Sequence, residues 1–280
     1  MSLFNSRYPI ICNPMNFVSD ARLAIACNRA GIVPSLVHNS DLEEQLKEFR
    51  DSCPSGDLIL ASKSQIIQKR PMNLITLYMK YGVSHIQLLE DPDSNILKSL
   101  KNVSNIKIIY KSLRPRDLSN MMSYCDAVDL KSPDAASRVM DTNQTTMERF
   151  LEQKDKSLNL PIIVTGGIST SAEIKMYLDA GAEAVGLGTM FALSEESRID
   201  HDKKLEMIKK SFSDVTSLGV NRMNGIVFSE TTDTDDNHSD GLKLGRDTKD
   251  QGVIWAGKAL NNINAIESVQ TIVNRLIEEL

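Results

Sequence analysis

Short, unbroken apolar runs alternate with helix-patterned stretches over the first two-thirds of the chain. The runs fall at residues 8–12, 32–37, 58–61, 85–89, 106–110, 127–130, 161–165 and 184–187. Each is too short for a buried helix and too continuous for a strand with one wet face, and strands covered by helices read this way. Eight such strands, each followed by a helical segment, predict an α/β protein whose parallel sheet closes into a (β/α)8 TIM barrel. An open doubly wound sheet normally carries a glycine-rich turn after its first strand, where this chain has Asn13-Pro14-Met15-Asn16.

The intervening stretches carry helix signals with physical causes. Ser40-x-x-Glu43 and Thr170-x-x-Glu173 read as capping boxes. Leu42, Leu46 and Phe49 then share one face, as do Ile174, Tyr177 and Leu178. Pro71 and Pro115 suit a first helical turn, while Gly31, Gly82 and Gly181 stand where helices should stop. Residues 201–218 read as one long helix. Residues 230–241 (ETTDTDDNHSDG) read as an acidic excursion whose spacing misses the EF-hand pattern, so no metal is expected there. Ile266, Val269, Ile272, Val273 and Leu276 mark a closing amphipathic helix. The expected organisation is residues 1–200 as the main part of the barrel, 201–250 as a helical and acidic-loop insertion, and 251–280 as closing segment and C-terminal helix.

Composition narrows the function. A chain of 280 residues with a net charge of −5 and no long Lys/Arg cluster argues against nucleic-acid binding. No apolar run reaches the roughly 18 residues of a membrane span, and the amino terminus lacks a signal-peptide pattern. Cys12, Cys27, Cys53 and Cys125 are scattered without metal or redox spacing and read as small buried apolar residues. A cytoplasmic protein without metal is the expectation.

The sharpest chemical signal is IIVTGGISTSAEI followed by AEAVGLGTMF. Both are buried strands ending in glycine and a hydroxyl residue and running straight into a helix. In a barrel, the loops after strands seven and eight commonly hold a phosphate. Gly166, Gly167 and Gly188 let the backbone approach an anion closely, and Thr189 adds a hydroxyl.

These residues also carry a resemblance. Residues 161–197 are similar to the nitronate monooxygenase family, once called 2-nitropropane dioxygenases, and to the flavin-type enoyl-acyl-carrier-protein reductases. Tyr8-Pro-Ile-Ile-Cys-Asn-Pro-Met15, Val18-Ser-Asp20, Ala30-Gly31 and Ser35-Leu36 resemble the family's opening, and Gly252-Val-Ile-Trp-Ala-Gly-Lys258 its closing segment. The resemblance runs through most of the chain in order and is weakest between residues 40 and 104. It implies a TIM barrel binding flavin mononucleotide (FMN), with a small insertion after the eighth strand. Asn13, Pro14 and Met15 would lie beside the flavin ring, and Gly166, Gly167, Gly188 and Thr189 would hold the phosphate. Lys111, ending the fifth strand, and Lys131, ending the sixth, would face the cofactor. A lysine at position 131 can stabilise an anionic reduced flavin.

The departures are equally specific. Where the family reads Gly-x-Glu-Ala-Gly-Gly-His after the sixth strand, with the histidine as base, this chain has Ser132-Pro-Asp-Ala-Ala-Ser-Arg138. Arginine stays protonated and cannot serve as that base, although it can clamp a carboxylate or phosphate. The family's "HFG" after the fourth strand is replaced by Leu88-Leu-Glu-Asp-Pro92. Asp134, Glu90 and His38 are the alternative bases, with Lys131 a further catalytic candidate. His85 reads as a satisfied core residue, and His201 and His238 as exposed.

Three readings follow. The first is an FMN-dependent oxidoreductase with NAD(P)H or substrate as electron donor, nearer an enoyl-thioester reductase than a true nitronate monooxygenase because the base is missing. It would act on a small molecule, an acyl thioester included, and a homodimer is its expected assembly. The second is a catalytically degenerate FMN-binding partner protein. The third is a flavin-free lyase or isomerase acting on a phosphorylated metabolite, with Lys111 or Lys131 forming a Schiff base.

Overall fold

The computed structural model describes residues 2–69, 71–88, 94–103, 105–112, 124–138, 144–155, 160–218, 223–227 and 253–280. The expected strands form there, at Ile10–Cys12 (β1), Ser35–Val37 (β2), Ile59–Ser62 (β3), His85–Leu88 (β4), Lys107–Ser112 (β5) and Ala127–Lys131 (β6). A two-residue strand follows at Ser137–Arg138 (β7), and the seventh and eighth barrel strands are Ile162–Thr165 (β8) and Ala184–Leu187 (β9). Around the sheet the order is β1-β9-β8-β6-β5-β4-β3-β2, and every pairing is parallel. A parallel bridge between Ile11 and Val33 closes the ring. Cys12 N–H donates to Val33 O at 2.9 Å and Val33 N–H to Ile10 O at 2.8 Å. The second strand pairs with β3 only from Ser35 onward. Pro34, which has no N–H to donate, interrupts the run expected over 32–37.

Alternate residues of each strand point into the barrel. Ile11, Ile59, Ile109 and Ile163 come from alternate strands and pack with Val33, Ala127 and Ala184 into a small inner core. Leu3 and Phe4 complete that core. The Leu3 carbonyl accepts from Lys107 Nζ at 2.7 Å and lies 3.1 Å from His85 Nε2. His85 is thus the satisfied core residue expected, at the amino-terminal end of β4, and burial pushes its pKa down to about 4. A larger apolar layer lies between strands and helices and contains Leu46, Phe49, Tyr78, Phe150, Ile174 and Phe191.

The helix cues divide. The Thr170/Glu173 capping box forms, Pro71 opens the helix Pro71–Lys80, and Gly31, Gly82 and Gly181 take positive φ. The Ser40 box does not form. The helix Leu42–Ser52 is preceded by Asp41 without a side-chain cap, because Ser40 Oγ donates instead to Asp41 Oδ1 at 2.8 Å. The single long helix over 201–218 is also corrected. A helix spans His201–Met207, a 3-10 turn Phe212–Asp214, and a strand Thr216–Leu218 (β10). Ser211 and Asp214 cap each other and restart the chain there, and the β-branched Val215-Thr216 pair then favours extended backbone.

Strand β10 pairs antiparallel with Met223–Val227 (β11), which also pairs with Val253–Trp255 (β12) and with β7. The closing helix is Val269–Leu276, capped by Ser268, with Val269, Ile272, Val273 and Leu276 buried and Ile266 lying ahead of it. The acidic stretch 230–241, Pro115 and His238 lie outside the described residues. No helix among the described residues is long and apolar enough to cross a membrane, and the four cysteines are free and buried.

Candidate active site at the carboxyl ends of the strands

Above the isoleucine layer the barrel interior turns polar. Asn13, Ser35, Gln87, Lys111, Asp129 and Thr165 are all buried. Lys111 Nζ lies 3.0 Å from Asp129 Oδ2, and Gln87 Nε2 donates to the same oxygen at 2.7 Å. Asn13 Oδ1, Gln87 Oε1, Asp129 Oδ1 and Thr165 Oγ1 are buried without a partner among the described residues. Buried acceptors are nearly always satisfied, so four of them facing one chamber mark a place for donors from outside the protein. Asn13 and Lys111 were expected at the site. Gln87, Asp129 and Thr165 were not, and their signal was an amide, an acid or a hydroxyl on the inward face of an otherwise apolar strand.

At the ends of β8 and β9 glycines let the loop after β6 pack directly on the backbone. Gly166 and Gly167 have φ of 102° and 75°, where side-chain-bearing residues are strained. A Cβ on Gly166 would collide with the Ala135 methyl and lie 2.9 Å from its Cα, and one on Gly167 would lie 2.8 Å from Asp134 Cβ. At Gly186 a Cβ would run into Asn13 Oδ1 and come within 2.6 Å of Thr165 Oγ1. Gly188 is different. Its φ of −112° suits any residue, and a Cβ there would meet only Met15 Sδ, at 3.6 Å. Open space therefore begins at Gly188, on the inward face two residues above Gly186. The N-terminus of the helix Ser171–Asp179 is already filled, because the Glu173 carboxylate accepts from the backbone N–H groups of Ser169 and Thr170 at 2.8 and 3.1 Å. Thr189 Oγ1 accepts from Gly257 N–H at 3.2 Å and keeps its own proton to donate.

The loop after β6 is pinned from several directions. Ser132 N–H donates to Thr165 O at 2.7 Å, and Lys258 N–H to Asp134 O at 2.9 Å. Asn224 Nδ2 reaches Ala135 O at 3.0 Å and Pro133 O at 3.4 Å. The chain then pairs through β7 with β11, Arg138 opposite Met223 and Ser137 opposite Asn224. Asp134 is part-exposed, with Lys258 Nζ 3.6 Å from its carboxylate.

The loop after β1 is a tight turn. Met15 N–H donates to Ser19 Oγ at 2.9 Å, and Val18 and Ser19 N–H both donate to Met15 O. Phe17 sits at φ 63°, a costly place for a bulky residue and one usually found where a turn serves a site. Pro14 and Met15 are half-buried, and Met15 Sδ is the atom nearest the open face of Gly188.

The remaining candidates separate. Lys131 ends β6 half-buried, and its carbonyl accepts from Arg149 Nη1. Arg149, unforeseen in the sequence, also reaches Ser112 Oγ at 3.2 Å and so ties the ends of β5 and β6 together. Burial lowers its pKa, and the Asp129 carboxylate opposes that shift. His38 does not face the mouth. It follows Val37 on the opposite face of the chain, and its Nδ1 lies 3.0 Å from the hydroxyl of Tyr78, so it is turned toward the helix layer. Burial lowers the His38 pKa and pushes that of Tyr78 up to about 12. Glu90 lies outside the described residues. Among the described residues no three His, Cys, Asp or Glu side chains converge as a metal site.

A family model described as nitronate monooxygenase matches residues 131–227, the stretch containing the pinned loop, both glycine turns and β11. A probable nitronate monooxygenase of Bacillus subtilis is 22% identical, with 100% of this chain and 98% of that protein covered. The structure of FabK from Thermotoga maritima has a TM-score of 0.84 at 19% identity, covering 99% of this chain and 94% of that one. That of nitroalkane oxidase from Streptomyces ansochromogenes has a TM-score of 0.78 at 16% identity, covering 98% and 96%. The chain is thus similar in sequence to nitronate monooxygenases, through the family model and the curated relative, and shares its fold with FabK and nitroalkane oxidase.

Proposed function

We propose that the protein is an FMN-dependent oxidoreductase acting on a small molecule, an acyl thioester among the candidates. The observation that carries this reading is the open inward face of Gly188 at the end of β9, next to the strand that ends in the Gly166-Gly167 turn. The residues present fit the group. A side chain at Gly186 would displace Asn13 and Thr165, whose unpartnered oxygens await donors, and Thr189 retains a hydroxyl proton for a phosphate. Gly166, Gly167, Gly188 and Thr189 would hold the phosphate, Asn13, Pro14 and Met15 would line the ring, and Lys111 and Lys131 would supply positive charge. FMN, when bound, supplies two-electron transfer, with NAD(P)H or the substrate as donor.

The reaction differs from nitroalkane oxidation in this reading. Arg138 stands where the resemblance puts a basic histidine, and the strand it belongs to is backbone-paired with β11. An enoyl-thioester reduction needs no base at that position. The same pairing favours a second reading, an FMN-binding protein without turnover. Purification followed by release and identification of the bound flavin tests the cofactor. NAD(P)H oxidation under air then tests the chemistry. Colourless protein that takes up no FMN removes both readings in favour of a flavin-free barrel, and yellow protein inert toward NAD(P)H favours the second.

A further inference from the structure

The resemblance turns Lys111 toward the cofactor, but neither it nor the comparisons assign the pairing of Lys111 with Asp129 and Gln87 in the polar chamber. Lys111 and Asp129 are paired across β5 and β6, buried to 8% and 0% exposure, inside a barrel whose next layer is apolar. Asp129 is fixed from two sides, by the Lys111 ammonium at 3.0 Å and the Gln87 amide at 2.7 Å. In a parallel barrel the inward residues of alternate strands lie in successive layers. Asp129 is two residues above Ala127 of the inner core on β6, and Lys111 is two above Ile109 on β5. Ile109 stands opposite Ala127, and Lys111 opposite Asp129. Lys111 is the inward residue just before Ser112 ends its strand, whereas Asp129 is followed inward by Lys131. No second carboxylate lies against Lys111 among the described residues.

We propose that Lys111 is an anion-stabilising site at the floor of the chamber, acting on negative charge that develops on the cofactor ring. Asp129 and Gln87 are positioning residues that hold the ammonium and moderate its charge. The inference rests on the FMN reading above. A cation fixed in a dry, low-dielectric site acts far more strongly than one in water and needs no rearrangement when charge appears. In this role Lys111 acts as a fixed cation rather than as an amine nucleophile.

Sulfite is the probe, and it reads charge stabilisation without turnover. Its sulfur lone pair adds to N5 of oxidised flavin. Both electrons of the new N–S bond come from sulfite, and the ring takes up the negative charge, so no oxidant or reductant is needed. The adduct is followed by bleaching of the yellow absorbance, after FMN affinity has been measured for each protein. Lys111→Met should weaken sulfite binding at least tenfold, about 1.4 kcal/mol. Lys111→Arg should retain it, and Asp129→Asn should tighten it several-fold by removing the opposing charge. The opposite signs at the two positions separate a field effect from loosened packing, and Asp129→Asn keeps the test decisive if Lys111→Met does not fold. Wild-type protein that binds no FMN overturns the reading beneath the inference. Wild type that binds FMN, with sulfite affinities within twofold across the variants, overturns the role of Lys111 alone.

Discussion

Asn224 donates from Nδ2 to the carbonyl oxygen of Ala135 at 3.0 Å, tying β11 to the loop whose Ala135 methyl packs on Gly166. The same side chain accepts from Ser217 Oγ at 2.6 Å, so a single buried amide links β10, β11 and the loop after β6. Removing it strands the buried Ala135 carbonyl and frees the part-buried Pro133 carbonyl. Asn224→Ala should cost about 1–3 kcal/mol of stability and weaken FMN binding, whereas Ser217→Ala should do much less. Denaturant midpoints and FMN titrations on both variants read this, and unchanged FMN affinity in Asn224→Ala would separate the loop from the cofactor.

Gly166 and Gly188 are both glycines of the cradle, yet they should respond differently to a methyl group. At Gly166 the methyl meets Ala135 and forces φ 102° on a residue that resists it. Gly166→Ala should therefore lose about 2–4 kcal/mol, a fall of roughly 5–15 °C in melting temperature. Gly188→Ala should leave the melting temperature of the apo-protein unchanged within about 2 °C, since open space awaits the methyl. A thermal melt of the two apo-proteins checks the contrast.

The strands were legible because helices cover them, leaving uninterrupted apolar runs such as 184–187. The two glycine turns proposed to hold a phosphate were legible because Gly166-Gly167 and Gly188-Thr189 each follow such a run directly. The chamber floor was not. Asp129 finds Lys111 and Gln87 only through barrel closure, and an acid inside the run AVDLK has no local partner to announce it. Arg149 reads as an ordinary solvated helix residue until the ends of β5 and β6 are placed beside it. The strands of the insertion were hidden for another reason. Thr216–Leu218 follows a helical pattern closely, and its pairing partner β11 is set by tertiary contact with β7.

His85 makes stability depend on pH. Its folded pKa of about 4 lies below the usual 6.5, because burial disfavours the imidazolium. The unfolded chain therefore binds the proton first, and stability present above pH 6.5 is lost as the pH falls from about 6.5 toward 4. The His85 share is on the order of 3 kcal/mol at most. His85→Gln, which can still donate to Leu3 O, should remove that share. The difference between wild-type and variant urea midpoints should therefore shrink steadily from pH 7 to pH 4.5. A constant difference would assign the acid sensitivity elsewhere.

Arg138 predicts a substrate split. Without the family's base, a neutral nitroalkane should turn over about 10²–10⁴-fold more slowly than its preformed nitronate, which needs no proton removed. Arg138→His alone should not restore the neutral substrate, because Ala136 and Ser137 also replace glycines of the family's loop and the strand stays paired with β11. Oxygen consumption with both substrates on both proteins is the measurement. Efficient wild-type use of the neutral nitroalkane would mean that another group, Asp134 first, supplies the base.

In the proposed function the space above Gly188 receives the phosphate end of FMN. Apo-protein titrated with FMN, followed by quenching of the flavin fluorescence, tests it most directly for wild type, Gly188→Ala and Gly188→Val. Tight wild-type binding, progressive loss from alanine to valine by at least about a hundredfold, and unchanged apo melting temperatures are the expected result. Wild-type affinity retained by Gly188→Val would contradict it.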